Sequence, residues 1–179
     1  MKNLKYYCVI SMLALCAQSV QAQQEELVRN GDFELNARVE RSTQATTAWD
    51  AAKPVVVVHV DPISQDNPNY AVIASDIIYN EGFGGISITE GANYDFSVSL
   101  RLIPALREEE RTTGSKQLII RLVDESGKSL AEATILAQGN QWQHYSAQLA
   151  ACASCEKARL AIEGIGNEKI AIDKVSLKK

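Results

Sequence analysis

The sequence has few of the residues that build reactive centres. Histidine occurs twice, as His59 and His144. Each stands inside a strand-like run with no nucleophile motif such as GxSxG nearby, so Ser-His-Asp chemistry has little to draw on. Of the four cysteines, Cys8 and Cys16 lie in an apolar leader, which leaves Cys152 and Cys155 in "CASC". A closed zinc site of the usual kind needs four ligands, and no second Cys pair exists. A redox pair of this spacing sits at a helix start in a βαβ setting, and helical periodicity is almost absent here. The favoured reading is a small Cys152–Cys155 disulfide closing a loop in an oxidising compartment. A basic excess is also lacking. The net charge is −4, whereas a nucleic-acid surface wants a basic stripe. Long apolar runs are missing too: the longest, Cys8 to Ala17, is about half of the ~20 residues that span a bilayer. At 179 residues the chain is short for a (β/α)₈ enzyme barrel, which needs roughly 200 or more.

The N-terminus explains the one apolar run. Lys2 and Lys5 give a basic start, the run follows, and Val20-Gln21-Ala22 fits a small-residue cleavage site. Residues 1–22 therefore read as a secretion signal, and residues 23–179 as a single domain, secreted or periplasmic, with no membrane span. Leu13-Ala14-Leu15-Cys16 approaches a lipid-attachment motif. Leu15 is bulky where a small residue is wanted before the cysteine, which places lipidation second.

What remains is rich in short alternating runs separated by Gly, Asn, Asp, Ser and Pro. Residues 54–60, 69–75, 93–102, 116–124, 128–136, 141–150, 157–164 and 168–177 all read as strands. In "NYDFSVSLRL" (93–102), Tyr94, Phe96, Val98, Leu100 and Leu102 face one way, and Asp95, Ser97, Ser99 and Arg101 the other. Period two means that one face packs inward and the other meets solvent or a ligand. About ten short strands at such spacing predict an all-β fold, an antiparallel β-sandwich or jelly roll. "NGDFE" (30–34) then reads as its first edge, and "LREEERTTGS" (106–115) as a charged loop. Trp142 and Tyr145 fall on opposite faces of one strand, and Trp142 is expected to be the inward one.

"LVRNGDFE" (27–34), Trp142 with Tyr145, and "IAIDKVSL" (170–177) resemble jelly-roll carbohydrate-binding modules of the family 4, 9 and 22 kind. The order of Asn67-Pro68-Asn69-Tyr70, "YNEGFGGI" (79–86) and Gly91 to Ser97 is closest to the accessory sandwich domain of bacterial α-L-arabinofuranosidases. Those enzymes carry their acid/base and nucleophile glutamates in a separate barrel. The resemblance thus implies a galactose-binding-like sandwich that binds sugar or supports a hydrolase, and not hydrolysis by this chain.

It also implies a structural Ca²⁺ between the first and last strands, with Asp32, Glu34 and Asp173 at the matching positions. Hard cations take six to eight oxygens. Asp173 interrupts the apolar alternation of Ile170, Ile172, Val175 and Leu177, and a carboxylate beside a buried strand needs a partner. Backbone N–H groups or Lys174 are the alternative partners. For sugar recognition, flat apolar ring faces call for exposed aromatic planes beside planar hydrogen-bonding groups. The candidates are Tyr79 and Phe83 in the Gly-rich loop, Trp49 at a rim, and Arg101, Gln117 and Arg121 as a groove floor. The run Glu108–Glu110 reads as solvated surface. The expected function is non-catalytic binding of a plant-type polysaccharide or oligosaccharide. The two competing readings are a truncated or split accessory domain of an α-L-arabinofuranosidase glycoside hydrolase, working with a catalytic partner, and a structural or protein-interaction sandwich without a sugar site.

Overall fold

A computed structural model describes residues 24–35, 47–51, 55–58, 60–104 and 114–179. The expected leader (1–22) and most of the 106–115 loop lie outside these residues. The described residues form no helix. Their eleven strands are β1 (Trp49–Ala51), β2 (Val56–Val58), β3 (Tyr70–Ile73), β4 (Ile77–Asn80), β5 (Ile86–Ile88), β6 (Asn93–Ile103), β7 (Ser115–Val123), β8 (Ser129–Gln138), β9 (Gln143–Ala150), β10 (Cys155–Ile165) and β11 (Lys169–Lys178).

Two antiparallel sheets result. One runs β1-β4-β10-β7-β8, with β5 also on β10; the other runs β2-β3-β11-β6-β9. Tyr94, Phe96, Val98 and Leu100 of β6 are buried, as are Leu118, Ile120 and Leu122 of β7, and Ile170, Ile172 and Leu177 of β11. All belong to one apolar cluster between the sheets. The alternation in the sequence thus becomes a sandwich interior, and burial of these side chains at about 1.5–3 kcal/mol each drives the fold. Every long strand expected from period two is present, with ends shifted by a few residues. Three short strands, β1, β4 and β5, were not anticipated.

The opening segment is not an edge strand. It makes one bridge, Glu26 to Lys178, and then turns at Asn30, whose φ of 56° is left-handed. Leu27 N–H donates to Leu177 O at 2.8 Å and Val175 N–H to Gly31 O at 2.9 Å. Phe33 is thereby driven into the core, stacked on Trp49 with ring centroids 4.9 Å apart. Trp49 is only 2 % exposed, and its indole N–H donates to Asn30 O at 2.8 Å. A rim position for Trp49 is therefore corrected. The polar residues before it end at a buried slot whose carbonyl satisfies the ring's one donor.

The cysteine expectation is corrected as well. Cys152 and Cys155 are free thiols. Cys155 opens β10, paired with Ile88, and packs partly against the core, whereas Cys152 is exposed in the preceding turn.

Candidate binding face

The polar half of β6 determines the outer face of the five-stranded sheet. Its neighbours are in register: Lys178 lies opposite Asp95 and Ser176 opposite Ser97, while Asp95 lies opposite Gln148 and Ser97 opposite Ser146. Residues directly opposite share a face. Two rows therefore cross the sheet, Lys178–Asp95–Gln148 and Ser176–Ser97–Ser146. They line an open groove of about 490 Å³, with Phe96 and Ala147 contributing to its walls. Gln148 Nε2 donates to Asp95 Oδ1 at 3.3 Å, and Gln24 Nε2 to Asp95 Oδ2 at 3.4 Å. Glu26 accepts from Ser176 Oγ and, at 2.9 Å, from Leu177 N–H, which fixes the groove's edge. The arrangement offers hydroxyl, amide, carboxylate and ammonium groups on a rigid pleat. Such a surface can meet a polyhydroxylated chain with donors and acceptors at strand spacing.

Further along the same face stands an aromatic cluster. Arg101 places its guanidinium 5.2 Å from the Tyr70 ring centre and 5.3 Å from that of Trp142. The two rings meet edge to face at 5.4 Å. The orientation expected of the 142/145 pair is thus reversed. Tyr145, opposite Val98, turns toward the core and keeps its hydroxyl at the surface, where it accepts from Gln138 N–H at 3.0 Å.

The other expected binding residues lie elsewhere. Gln117 and Arg121 belong to β7, in the opposite sheet from Arg101, so the three do not form one floor. Arg121 is held by Glu132 at 2.7 Å and Glu163 at 2.5 Å, and these two bonds raise its pKa. Tyr79 is also on that second sheet, beneath Arg159 at 4.6 Å. Phe83 is 73 % exposed at the tip of a turn built on Gly82, whose φ of 60° and approach to Leu27 O exclude a side chain. His144 is exposed, as expected for a solvent-facing strand residue.

Asp32 comes near Asp173 where the chain's start meets its end, close enough for its charge to act on that carboxyl. Asp173 is fully buried at a bulge in β11, where Lys174 takes a φ of 48°. Its carboxylate accepts from Lys174 N–H at 2.7 Å and Asn67 Nδ2 at 2.9 Å. Burial pushes its pKa up to about 7, against both bonds and with a further push from the charge of Asp32. Asn67 Oδ1 is buried without a partner among the described residues. Glu34 is turned to Asn69, accepting from its N–H at 2.9 Å and its Nδ2 at 2.6 Å. Among the described residues no three acidic, histidine or cysteine side chains stand together as metal ligands. A cation here would lean on amide and carbonyl oxygen, and the orphaned Asn67 Oδ1 beside the buried Asp173 carboxylate fits that need.

No family model matches the chain. Over 155 residues, 85% of its length, it is 31% identical to an extracellular exo-α-L-arabinofuranosidase of Streptomyces chartreusis, and it spans 17% of that enzyme. The arabinose-bound α-L-arabinofuranosidase MgGH51 superposes with a TM-score of 0.69 at 20% identity, covering 87% of this chain and 26% of that one. The CBM22-1 xylan-binding domain of Paenibacillus barcinonensis Xyn10C superposes with a TM-score of 0.55 at 10% identity, covering 87% and 94%. The fold is the jelly roll of carbohydrate-binding modules. Among the described residues no helix is long and apolar enough to cross a membrane.

Proposed function

We propose that this chain is a non-catalytic glycan-binding module, and that it binds through the outer face of its five-stranded sheet. The observation that carries the reading is the pair of cross-strand rows, Lys178–Asp95–Gln148 and Ser176–Ser97–Ser146, lining one open groove. Asp95 accepts from sugar hydroxyls, Lys178 donates to them, and Gln148 and the serines do both. Arg101 extends the same face toward Trp142. The ligand class is a plant-type polysaccharide or oligosaccharide.

The sequence of residues 1–22 and the extracellular relative support export, with residues 1–22 removed as a secretion signal. A structural cation would be held by Asp32, Asp173 and the Asn67 amide oxygen, with Glu34 outside the shell. When bound it would neutralise buried carboxylate charge, while Asn67 keeps Asp173 oriented.

A second reading is favoured by the 31% identity over most of this chain to a small part of a much longer enzyme. On that reading the module works beside a glycoside hydrolase and supplies substrate contact, not chemistry. The polar lining of the groove speaks against a purely structural sandwich, for which an apolar filling is expected.

Native affinity electrophoresis of residues 23–179 in gels containing arabinan, xylan, β-glucan or pectin tests the function. Retardation in at least one supports it. Unaltered mobility in all four would remove the binding assignment.

A further inference from the structure

Three side-chain donors from separate parts of the outer face converge on two backbone carbonyls. The Tyr70 hydroxyl donates to Val60 O. Arg101 Nη2 donates to Val60 O at 3.2 Å, to Asp61 O at 3.3 Å and to the Tyr70 hydroxyl at 2.9 Å. The Trp142 indole N–H donates to Asp61 O at 3.2 Å. A flat ring, a guanidinium and a phenol hydroxyl thus form a cup, and a strip of the chain's own backbone fills it.

The strip is a poor occupant. Asp61 sits at φ 52° directly before Pro62, and a residue preceding proline is pushed toward extended backbone. A non-glycine residue holds such a conformation only where its surroundings impose it. Val60 is 60 % exposed, so its side chain adds little to the hold. Arg101 Nε is buried and has no partner among the described residues, which leaves one donor of the cup unanswered there. A better ligand would bring acceptor oxygens to all the donors and a C–H face to the Trp142 ring.

We propose that Trp142, Arg101 and Tyr70 form a further saccharide subsite, and that the Val60–Asp61 segment is its internal occupant, displaced when a sugar ring enters. This rests on the reading that the outer face binds glycan. The subsite lies some six residues along β6 from Asp95, roughly 20 Å at strand rise, so one extended glycan reaches both. The segment then sets a threshold: short ligands stay in the groove, and longer ones gain enough contact to lift it.

The backbone angle supplies the test. Proline cannot adopt a φ near +50°, so Asp61→Pro releases the segment, whereas Asp61→Gly removes the strain and holds it down. Trp49 is buried, so acrylamide quenching of the folded protein reports Trp142. Asp61→Pro is expected to raise that quenching. It should also tighten retention by soluble arabinan or xylan about threefold or more, because a competing closed state is removed. Asp61→Gly should do the reverse on both readouts, and Trp142→Ala in the Asp61→Pro background should cancel the gain. If wild type is retained and Asp61→Pro is retained no better, the internal occupant is refuted while the groove stands. If neither is retained by any glycan, both readings fall. Should Asp61→Pro lose its cooperative melt, the Asp61→Gly arm decides: tighter retention than wild type overturns the proposal.

Discussion

The amide of Val175 lies 2.9 Å from the carbonyl of Gly31 and donates to it, so the opening segment is fastened to the final strand by its backbone. A Cβ on Gly31 would stand 1.9 Å from Val175 O, which is far inside contact distance. Gly31→Ala must therefore break this bond and lift Phe33 and Trp49 with it. A loss of about 3 kcal/mol is expected, seen as a melting temperature lower by roughly 6–12 °C. A variant melting within a degree of wild type would contradict this fastening.

Asp173 is expected to make stability depend on pH. Its folded pKa, about 7, lies above the ordinary value of 3.8. Below pH 3.8 both folded and unfolded chains hold the proton, and its contribution is complete. Between 3.8 and 7 only the folded chain holds it, so stability falls as pH rises, and the fall ends above 7. In EDTA the melting temperature is expected to decline across that window, by an amount worth up to a few kcal/mol. Asp173→Asn should remove this decline. Excess Ca²⁺ should remove it in wild type if Asp173, Asp32 and Asn67 hold a cation, and identical curves in Ca²⁺ and EDTA would count against that cation.

Lys116 is a buried ammonium, 1 % exposed. It donates to Ala74 O at 2.8 Å and Gly166 O at 2.6 Å, bracing two turns. Burial lowers its pKa, and the charges of Glu168 and Asp76 oppose that. Lys116→Met keeps the bulk and strands two carbonyls, each an unmet acceptor costing on the order of 1–3 kcal/mol. Chemical denaturation should show a loss of about 2–5 kcal/mol. An unchanged midpoint would mean that the ammonium merely fills space.

The two tryptophans should separate stability from binding. Trp49→Ala empties the slot against Phe33 and is expected to cost about 3–5 kcal/mol. Trp142→Ala removes a half-buried surface ring and should cost under about 1.5 kcal/mol. Denaturant titration of both variants checks the order, and a larger loss from Trp142→Ala would reverse the assignment of core and surface.

Much of this architecture was legible in the chain. The alternation of Tyr94 to Leu102 set the inner and outer faces of β6, and Asp95, Ser97, Ser99 and Arg101 proved to be the polar side. What parity could not supply was the sheet to which a strand belongs. Arg101 and Arg121 both point outward, but β6 and β7 lie in different layers, so they look away from each other. Short strands hid for another reason. β1, β4 and β5 have three or four residues, too few for a period to show, and unlike the equally short β2 and β3 they are not set in a longer apolar run. The Trp142 and Tyr145 pair had the right geometry and the wrong polarity, because Arg101 and Tyr70, distant in sequence, make the outer slot that accepts the indole. Trp49 followed polar residues, yet its partner Asn30 O comes from a turn that only the fold brings close.

The most direct measurement compares the two sheets in one affinity gel. Asp95→Ala and Gln148→Ala, on the outer face of the five-stranded sheet, should each weaken glycan retention about tenfold, as expected for losing one or two hydrogen bonds to ligand. Arg121→Ala and Tyr79→Ala, on the other sheet, should migrate like wild type. Retention that survives the first pair and is lost in the second would place the binding face on the opposite side and contradict the account.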